Sequence, residues 1–519
     1  MAIGKPPFSP EDLSTIVACE GGRTLSFAEW EEQAGRLAAG LSDQGIGAGD
    51  RVAVRMHNRL EWLVTNLALA KLRAVHVAIN YRLTATEMKD IFNDCGVVAL
   101  VCDDDDPASL REMCLALHLR ATVCLGDTKR FGIAYSDLLA STKRVTEEAR
   151  DFAQMIIYSS GTTGTPKGTL RTPPRDLRIA AEYANSVNFN GAAGGPGDRA
   201  LVNLPLHHGV GPAFTRIALS TGGMVVFQRK FDPEQTLALI ASKQITHWGS
   251  VPTMIRRVLN LPDAILRKYD VSSLKCLQFG GAPAGPELKL RATEVFGECL
   301  YESYGTVEAG MIAGATPLEQ RKRPGTAGRA FKHVSIRIVD QDGRALPPGQ
   351  NGEIRVHTPS IITGYIGKGK LGSDKIDADG YYRTGDVGYL DEEGYLFITD
   401  RLTDMIIAGG SNVYPAEIER ALSLHPAVAL AAVIGVPHMD LGEQPVAYVE
   451  LKQGAAASES ELIAFCEGQL AKYKWPRRIF MLPEIPVNTG GKLIKKDLRK
   501  LWMDHQQQDR TAIGAQRSH

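Results

Sequence analysis

The sequence carries no excess of charge of either sign, no long apolar run and no signal-like N-terminus. Lysine plus arginine and aspartate plus glutamate each total 59 in 519 residues, which argues against nucleic acid as the main partner. The longest apolar stretch, residues 427–436, is far shorter than the ~20 residues that span a bilayer. The first residues lack the apolar core of a signal peptide. We therefore expect a cytoplasmic protein with no transmembrane segment.

The sequence also lacks any Cys-x-x-Cys pair, although it contains eight cysteines. Scattered cysteines of this kind are typical of reduced, buried thiols rather than of a disulfide framework or a zinc site. An acidic run at 103–106, ended by Pro107, could suggest a metal site. We interpret it instead as a solvated loop.

The order of predicted elements indicates the fold class. A strand at 51–56 is followed by a helix at 60–71, a strand at 74–79, a helix at 84–95 and a strand at 97–102. Strands that alternate with helices are typical of parallel sheets with crossover helices. We predict an α/β protein whose large N-terminal domain, residues 1–399, consists of doubly wound βα subdomains.

The composition changes from about residue 324. Short β-like runs are separated there by Asp-Gly or Glu-Gly turns, which predicts a small β-rich subdomain over about 324–399. Residues 400–519 contain further βαβ-like pieces and predict a small C-terminal α+β domain, with the boundary at about 400–403. A chain of this length is expected to form two to four units at about 150 residues each.

One stretch, residues 158–168, is too rich in glycine and hydroxyl side chains for a helix or strand. It follows an apolar run at 152–158 that predicts a buried strand, and it ends in Lys167 and Gly168. A loop of this kind after a strand can hold phosphate, because its amides and hydroxyls donate to oxygens and its lysine adds charge. The Walker A spacing does not fit, which argues against a kinase or GTPase loop. The alternative for this stretch alone is a flexible surface loop.

This loop closely resembles the phosphate-binding signature of the adenylate-forming superfamily, which includes acyl-CoA synthetases, peptide-synthetase adenylation domains and firefly luciferase. Five more segments resemble the family's motifs in the family's order: 280–283, 301–308, 382–386, 399–404 and 486–492. Taken singly, several of them read as turns or solvated loops. Together they cover roughly residues 20–500, and the chain is identified as a member of the superfamily.

The resemblance implies a set of nucleotide-binding residues and a role for several of them. Glu308 and Thr163 are expected to hold Mg²⁺, which prefers one or two carboxylates together with phosphate oxygens. Asp386 is expected to bind the ribose hydroxyls and Lys492 to act on the carboxylate and α-phosphate. The expected nucleotide-binding residues are Ser159, Ser160, Gly161, Thr162, Thr163, Gly164, Thr165, Lys167, Gly281, Ala282, Pro283, Glu302, Ser303, Tyr304, Gly305, Thr306, Asp386, Arg401 and Lys492.

The resemblance also implies the reaction. A carboxylate attacks the α-phosphorus of ATP to give an acyl-adenylate and pyrophosphate, and placed cations and donors stabilise the charge that spreads over the phosphate oxygens. A second nucleophile then displaces AMP, after the small domain turns as a mobile lid about a hinge at 400–403. Two positions depart from the family pattern: Val307 replaces a hydroxyl residue and Thr403 replaces the usual hinge Asp or Lys.

The expected acceptor is coenzyme A. His208 stands where acyl-CoA synthetases tend to have an aromatic residue or histidine, and no acid is present there to pair with an amino-acid substrate. Gly409, Gly410 and Ser411 resemble the segment that lines a pantetheine tunnel, and Lys472, Lys474 and Arg477 could meet CoA phosphates or form a solvated face. The acid is expected to be largely apolar, because the segment at 280–282 with Val251 and Pro252 supplies no counter-charge.

The leading interpretation is thus an acyl-CoA synthetase that uses ATP, Mg²⁺ and coenzyme A. The first alternative is an adenylating enzyme that delivers the acyl group to a carrier protein or another acceptor. The second is a nucleotide-binding protein in which Val307 and Thr403 impair catalysis. The sequence leaves open a homodimer and does not specify which carboxylic acid is used.

Overall fold

The computed structural model describes residues 12–103, 108–126, 132–147, 149, 151–159, 167–170, 176–189, 194–282, 284–408, 411–488 and 491–516. Across these ranges the strands form two nine-stranded sheets, a four-stranded sheet and a five-stranded sheet. No helix in these ranges is long and apolar enough to cross a membrane. All eight cysteines are buried and free of disulfide bonds, as the scattered spacing predicts.

The helices begin where a side chain or a proline satisfies the first turn. In α1, for example, the Ser26 hydroxyl accepts from the backbone N–H of Glu29 while the Glu29 carboxylate accepts from Ser26, which is a capping box. The helices are α1 (Phe27–Asp43), α2 (Leu60–Lys71), α3 (Ala85–Cys95), α4 (Ala108–Ala116), α5 (Tyr135–Ala140), α6 (Leu177–Val187), α7 (Val210–Ser220), α8 (Pro233–Lys243), α9 (Pro252–Leu259), α10 (Asp263–Leu266), α11 (Pro286–Phe296), α12 (Pro317–Lys322), α13 (Pro415–Ser423), α14 (Glu459–Glu467) and α15 (Lys495–Gln516), with a short 3₁₀ helix at Lys472–Lys474.

The strands are mostly short and apolar, as expected for sheets buried on both faces. They are β1 (Ile16–Glu20), β2 (Arg23–Ser26), β3 (Arg51–Arg55), β4 (Val75–Ala78), β5 (Val97–Cys102), β6 (Ala121–Cys124), β7 (Ile133–Ala134), β8 (Met155–Ser159), β9 (Lys167–Leu170), β10 (Arg199–Val202), β11 (Met224–Phe227), β12 (His247–Ser250), β13 (Cys276–Gly280), β14 (Leu300–Thr306), β15 (Gly310–Ala315), β16 (Arg329–Ala330), β17 (Ser335–Val339), β18 (Gly352–His357), β19 (Gly364–Tyr365), β20 (Gly369–Lys370), β21 (Tyr382–Leu390), β22 (Leu396–Arg401), β23 (Ile406–Ala408), β24 (Ser411–Val413), β25 (Val428–His438), β26 (Gly442–Leu451) and β27 (Ile479–Met481).

The two nine-stranded sheets are parallel in their centres. One has the order β16-β15-β14-β13-β12-β10-β11-β1-β2 and the other the order β20-β19-β9-β8-β4-β3-β5-β6-β7. The pairs from β14 to β1 and from β8 to β7 are parallel, and antiparallel strands complete every end except the one at β7. This arrangement confirms the predicted α/β class. The largest core cluster packs α1 and α2 between strands of both sheets, with Trp30, Trp62 and Leu63 almost fully enclosed.

The smaller sheets follow the predicted change of composition. The four-stranded sheet has the order β17-β18-β21-β22 and ends at Arg401, whereas the five-stranded sheet, which contains β23 to β27, begins at Ile406. Asp400 and Arg401 therefore still pair with β21. The division of the chain into two domains near 400–403 remains our proposal.

The topology determines where a site can form. Ligands of parallel sheets bind beyond the carboxyl ends of the strands. The segments that follow β3, β4 and β5 in one sheet, and β10, β11 and β12 in the other, all leave their strands at such ends. Many of the residues described below lie in these segments.

Candidate active site

Asp386 forms the centre of a buried corner. It lies in β21 directly opposite Arg401 of β22, and its carboxylate accepts a 2.7 Å hydrogen bond from the Tyr304 hydroxyl. The Arg401 Nε atom is 3.4 Å from the same carboxylate. Burial, followed by the charge and hydrogen bond of Asp386, raises the pKa of Tyr304 well above its usual value, so this phenol remains a donor. Three residues predicted as nucleotide contacts are therefore joined in one network.

Lys492 belongs to the small C-terminal region and lies beside this corner. Burial, and then the nearby positive charge of Arg401, lowers the pKa of Lys492 to about 8, although Asp386 and Asp404 oppose the shift. A lysine whose pKa is moved toward neutrality by burial and specific charges is typical of a functional site. The structure thus brings Lys492, Asp386 and Arg401 together from three separate motifs.

A tight turn holds Lys492 in place. Its backbone N–H donates to the Asn488 side chain at 2.9 Å, and the Asn488 N–H donates to the Lys492 carbonyl at 2.8 Å. Gly491 has φ of +73°, and a Cβ atom at this position would collide with the Thr253 hydroxyl and crowd Val251. The Lys492 turn therefore packs directly on the segment after β12 of the large domain. This close approach explains why the position before Lys492 is glycine.

The predicted metal ligand Glu308 lies in a second corner. Its carboxylate accepts a 2.9 Å hydrogen bond from the Tyr365 hydroxyl, and the Lys167 ammonium lies 5.2 Å from the centre of the Tyr365 ring. Burial, followed by the charge of Glu308, raises the pKa of Tyr365. Among the described residues, no cluster of three or more His, Cys, Asp or Glu side chains could hold a metal. Any divalent ion here would depend on substrate oxygens as well as on Glu308.

The side chains of β14 are engaged in contacts within the protein. The Glu302 carboxylate pairs with the buried Lys289 ammonium of α11, and its role in binding the nucleotide stays a prediction. The Ser303 hydroxyl accepts from the Gln278 side chain at 3.0 Å. Gly305 lies at a bulge where a Cβ would collide with the Gly310 carbonyl. Thr306 accepts from the Ala309 N–H at 2.9 Å. In this strand Tyr304 contacts Asp386, and the nucleotide contacts of Ser303, Gly305 and Thr306 stay predictions.

Several predicted residues lie partly or wholly outside the described ranges. The phosphate loop is described only at its two ends, where Ser159 of β8 pairs with Lys167 of β9. Ser411 is described as backbone paired with Ala408, while Gly281 has φ of +81° and Ala282 follows it. Ser160, Gly161, Thr162, Thr163, Gly164, Thr165, Pro283, Gly409 and Gly410 lie outside the described residues.

Two histidines follow β10 at the carboxyl end of its sheet. Burial lowers the pKa of His208 to about 4, and burial together with the charge of His208 lowers the pKa of His207 well below its usual value. Both imidazoles are therefore neutral at physiological pH. The rings lie 4.5 Å apart, and His207 meets the Tyr81 ring edge-on at 5.3 Å. This aromatic column connects the predicted acyl position to the neighbouring sheet.

A cavity of about 610 Å³ separates the large domain from the small one. Its lining is cationic on the large-domain side. The other side includes Asn488 and Gly491 of the Lys492 turn together with Glu450 and Glu484, and Glu484 pairs with Arg257. Burial lowers the pKa of one of the lining guanidinium groups, Arg256. We call this cavity the interdomain groove; its cationic residues are Arg82, Arg229, Lys230, Arg256 and Arg257.

The cations proposed from sequence are not all available to a ligand. Lys474 forms a 2.6 Å ion pair with Glu417. The cations of the groove, Tyr365 and Thr253 were missed, because no motif marks them. Their common feature is position, since Arg82, Arg229 and Thr253 follow β4, β11 and β12 within a few residues.

Comparison with known proteins decides the family. A model of the AMP-binding enzyme family matches residues 9–366, and the model of its C-terminal domain matches residues 417–492. The chain belongs to the AMP-binding enzyme family. It is therefore an adenylate-forming enzyme that activates acyl groups.

Individual relatives resemble the chain along nearly its whole length. It is 34% identical over 490 residues to a 2-succinylbenzoate–CoA ligase of Geobacillus kaustophilus, covering 94% of this chain and 95% of the relative. It is 32% identical to the fatty acid–[acyl-carrier-protein] ligase ScoC of Streptomyces coeruleorubidus, covering 95% of each. Among solved structures, ATP-bound MatB from Rhodopseudomonas palustris superposes with a TM-score of 0.84 at 31% identity, covering 96% of this chain and 99% of MatB.

Proposed function

We propose that this AMP-binding enzyme is an acid–CoA ligase. It would activate a largely apolar carboxylic acid with ATP, giving acyl-AMP and pyrophosphate, and then transfer the acyl group to coenzyme A with release of AMP. The observation that carries the proposal is the interdomain groove. The cations of its large-domain wall lie near Tyr81 and so suit an acceptor that carries phosphates.

The two corners of the site support the first half-reaction. Asp386, held by Tyr304 and Arg401, offers a carboxylate to the two ribose hydroxyls of ATP. Lys492 offers a cation beside it, where negative charge develops at the α-phosphate. A charge that is already in position needs little reorganisation in the transition state. The geometry is thus suited to forming the acyl-adenylate.

The residues present fit Mg²⁺ as a companion of ATP. Glu308 supplies one carboxylate oriented by Tyr365, and this cation commonly takes only one or two protein carboxylates together with phosphate oxygens and water. Bound there, the ion would neutralise charge on the pyrophosphate group. Lys167, which follows the phosphate loop, would add a second positive charge on the same side. Thr163 remains the proposed hydroxyl ligand.

The surroundings of the acyl position support an apolar acid. Val251 and Pro252 are buried, and the neutral His207 and His208 bring no positive charge. Gly281 leaves space opposite Val251, because a Cβ atom built at this glycine would lie 4.0 Å from a Val251 methyl. Val251, Pro252, His207 and His208 thus offer no counter-charge to a second negative charge on the acid. Aromatic and fatty acids therefore head the candidate substrates.

A second candidate acceptor is a carrier protein, since ScoC is similar over the whole chain. A carrier protein presents the same pantetheine arm as CoA but lacks the adenosine phosphates. Its docking depends on protein surface rather than on the cations inside the groove. The cations Arg82, Arg229 and Lys230 therefore favour CoA.

One assay separates the candidates. The protein is incubated with ATP, Mg²⁺ and a panel of fatty, aromatic and ring-bearing acids, with CoA, with a phosphopantetheinylated carrier protein or with neither. AMP and thioester are quantified in each arm. We expect thioester with CoA and at least one apolar acid, and AMP release that depends on CoA. Thioester on the carrier protein alone would overturn the CoA assignment.

His208 provides a further test of the acyl position. His208→Ala should change the preference among acids or the yield of thioester while the melting temperature is retained. A large fall in melting temperature with an unchanged order of acids would instead make His208 a residue of the structural core.

A further inference from the structure

One buried carboxylate outside the predicted site is surrounded by a histidine and two arginines. Asp103 follows β5 at its carboxyl end, and its side chain is only 1% exposed. Its Oδ2 atom accepts from the backbone N–H of His57 at 2.9 Å and lies 3.1 Å from His57 Nδ1. Arg59 and Arg229 bring guanidinium nitrogens to 3.5 Å and 3.8 Å. The sequence-based interpretation of position 103 as part of a solvated loop is therefore wrong for Asp103.

The charge of Asp103 is well supported. Burial alone would raise the pKa of this carboxyl, but the hydrogen bonds and charge of His57 and the charge of Arg59 outweigh burial and lower it. A buried carboxylate is retained as an ion only when partners of this kind surround it. Asp103 is thus a fixed negative charge behind the wall of the groove.

Two partners of Asp103 connect it to the interdomain groove: His57 contacts a residue that lines the groove, and Arg229 lines it directly. The His57 ring stacks on the Tyr81 ring with a centroid separation of 4.1 Å, and Tyr81 lines the groove. Arg229, which is 44% exposed, also lines the groove. Asp103 itself does not line it. It therefore contacts an incoming acceptor only through the side chains that it holds.

Asp103 lies apart from the residues of the adenylation corner. Its described ion-pair partners are His57, Arg59 and Arg229, whereas Asp386 is bonded to Tyr304 and Arg401. The two groups occupy different sheets and share no side chain. A change at Asp103 should therefore reach the acceptor without disturbing ATP.

We propose that Asp103 is a positioning residue for the acceptor: it orients the His57–Tyr81 stack and the Arg229 guanidinium so that the groove binds the phosphate-bearing end of CoA. This inference rests on the proposed CoA ligase function. It implies that a change at Asp103 alters the KM for CoA but not pyrophosphate exchange. The reason is that the wall of the groove contacts the acceptor of the second half-reaction and takes no part in forming the acyl-adenylate.

The test compares Asp103→Asn with wild-type enzyme. Acid-dependent ATP–pyrophosphate exchange, the KM for CoA at saturating acid and ATP, and the melting temperature are measured for both. We expect the KM for CoA to rise at least about tenfold, the order of a lost charge-assisted contact. Exchange and the turnover at saturating CoA should stay within about twofold. A merely structural role would raise all KM values together and so would overturn the proposal.

Asp198→Asn is the matched control. Asp198 is a partly buried carboxylate that also pairs with a histidine and a cation, His247 and Lys275, but it precedes β10 at the opposite end of the strands. The same chemical change there should leave the KM for CoA unaltered. An equal rise in both variants would overturn the proposal.

Arg229→Gln keeps the test decisive if Asp103→Asn folds poorly, because Arg229 lies at the surface. It should raise the KM for CoA, and the double variant should fall short of the product of the single effects, since Asp103 acts partly through Arg229. An unchanged KM in Arg229→Gln would overturn the proposal. If the wild-type enzyme makes acyl-adenylate but no acyl-CoA, the CoA ligase function is overturned. If the wild-type enzyme makes acyl-CoA and the variants behave like it, only the role of Asp103 is overturned.

Discussion

The Asp386 corner and the Lys492 turn lie side by side, but the contacts that fix their positions differ. Asp386 is 6% exposed, lies within a strand and is bonded to Tyr304 and Arg401. The Lys492 turn reaches the large domain through Gly491, and near it the Arg257–Glu484 ion pair joins the two domains.

That ion pair is weak. Its partners are 49% and 69% exposed, and exposed pairs contribute about 0–1 kcal/mol. We therefore propose that the Asp386 corner binds the nucleotide and that the Lys492 turn docks on it reversibly. This agrees with the proposed rotation of the small domain between half-reactions, and the predictions below test it in order of decreasing expected effect.

Removing the charge of Lys492 should have the largest effect on activity. Lys492→Ala should lower acid-dependent ATP–pyrophosphate exchange by about 100- to 1000-fold, because it removes a cation that stabilises the adenylation transition state. Thioester formation from acyl-adenylate made chemically and added directly should persist. Equal loss in both assays would make Lys492 structural and would remove the distinction between the two halves.

Removing the charge of Asp386 should instead weaken the binding of ATP. Asp386→Ala should raise the KM for ATP by about 10- to 100-fold, as expected for lost hydrogen bonds to a charged group, while the KM for the acid changes little. Tyr304→Phe, which removes only the hydroxyl that anchors Asp386, should show a smaller rise. Steady-state kinetics with each substrate varied in turn checks this, and an unchanged KM for ATP would contradict the ribose assignment.

Disturbing the docking contact itself should have an intermediate effect. Gly491→Ala places a Cβ against Thr253 at φ of +73°, and a left-handed conformation costs a non-glycine residue about 1–2 kcal/mol. We expect exchange to fall by about 10- to 30-fold. Gly454→Ala is the control, since its φ is +77° but nothing lies within 4 Å of the added Cβ. A similar loss of exchange in both variants would mean that backbone strain, not docking, is responsible.

The two half-reactions should also differ in their pH dependence, although by less than in the variants above. The pKa of Lys492 is lowered to about 8, so its charge is present below pH 8 and is lost as the pH rises through that value. The kcat/KM of exchange, which reports the free enzyme, should fall about tenfold per pH unit above pH 8. Lys492→Arg should flatten this fall, because arginine stays protonated. The second half-reaction from added acyl-adenylate should show no such decline.

The smallest effect is expected at the exposed ion pair. Arg257→Gln should reduce exchange by less than about fivefold, consistent with a contribution of about 0–1 kcal/mol. The effect should shrink further in 0.5 M salt, because salt screens exposed charges. Exchange assays at two salt concentrations check it. A loss as large as that of Lys492→Ala would show that the two domains are held together far more firmly than the comparison indicates.

The fold class and the family were predictable from the amino-acid sequence alone. Alternating strands and helices predicted the parallel sheets because a buried strand and an amphipathic helix leave different apolar periods. The motifs around Asp386, Arg401 and Lys492 identified the superfamily, which the family comparison confirms. Their individual roles, and those of Thr163 and Glu308, remain proposals.

The side-chain partners of individual residues depend on the three-dimensional packing. Glu302 lies within a motif, but its carboxylate is engaged by Lys289, a residue of α11 that lies 13 positions earlier. Asp103 lies in an acidic run that looked solvated, yet His57 and Arg229 enclose it from two other strands. Such pairings depend on which strands are neighbours and which way a side chain faces. Local sequence patterns do not contain that information, because it arises only when elements distant in the sequence pack against one another.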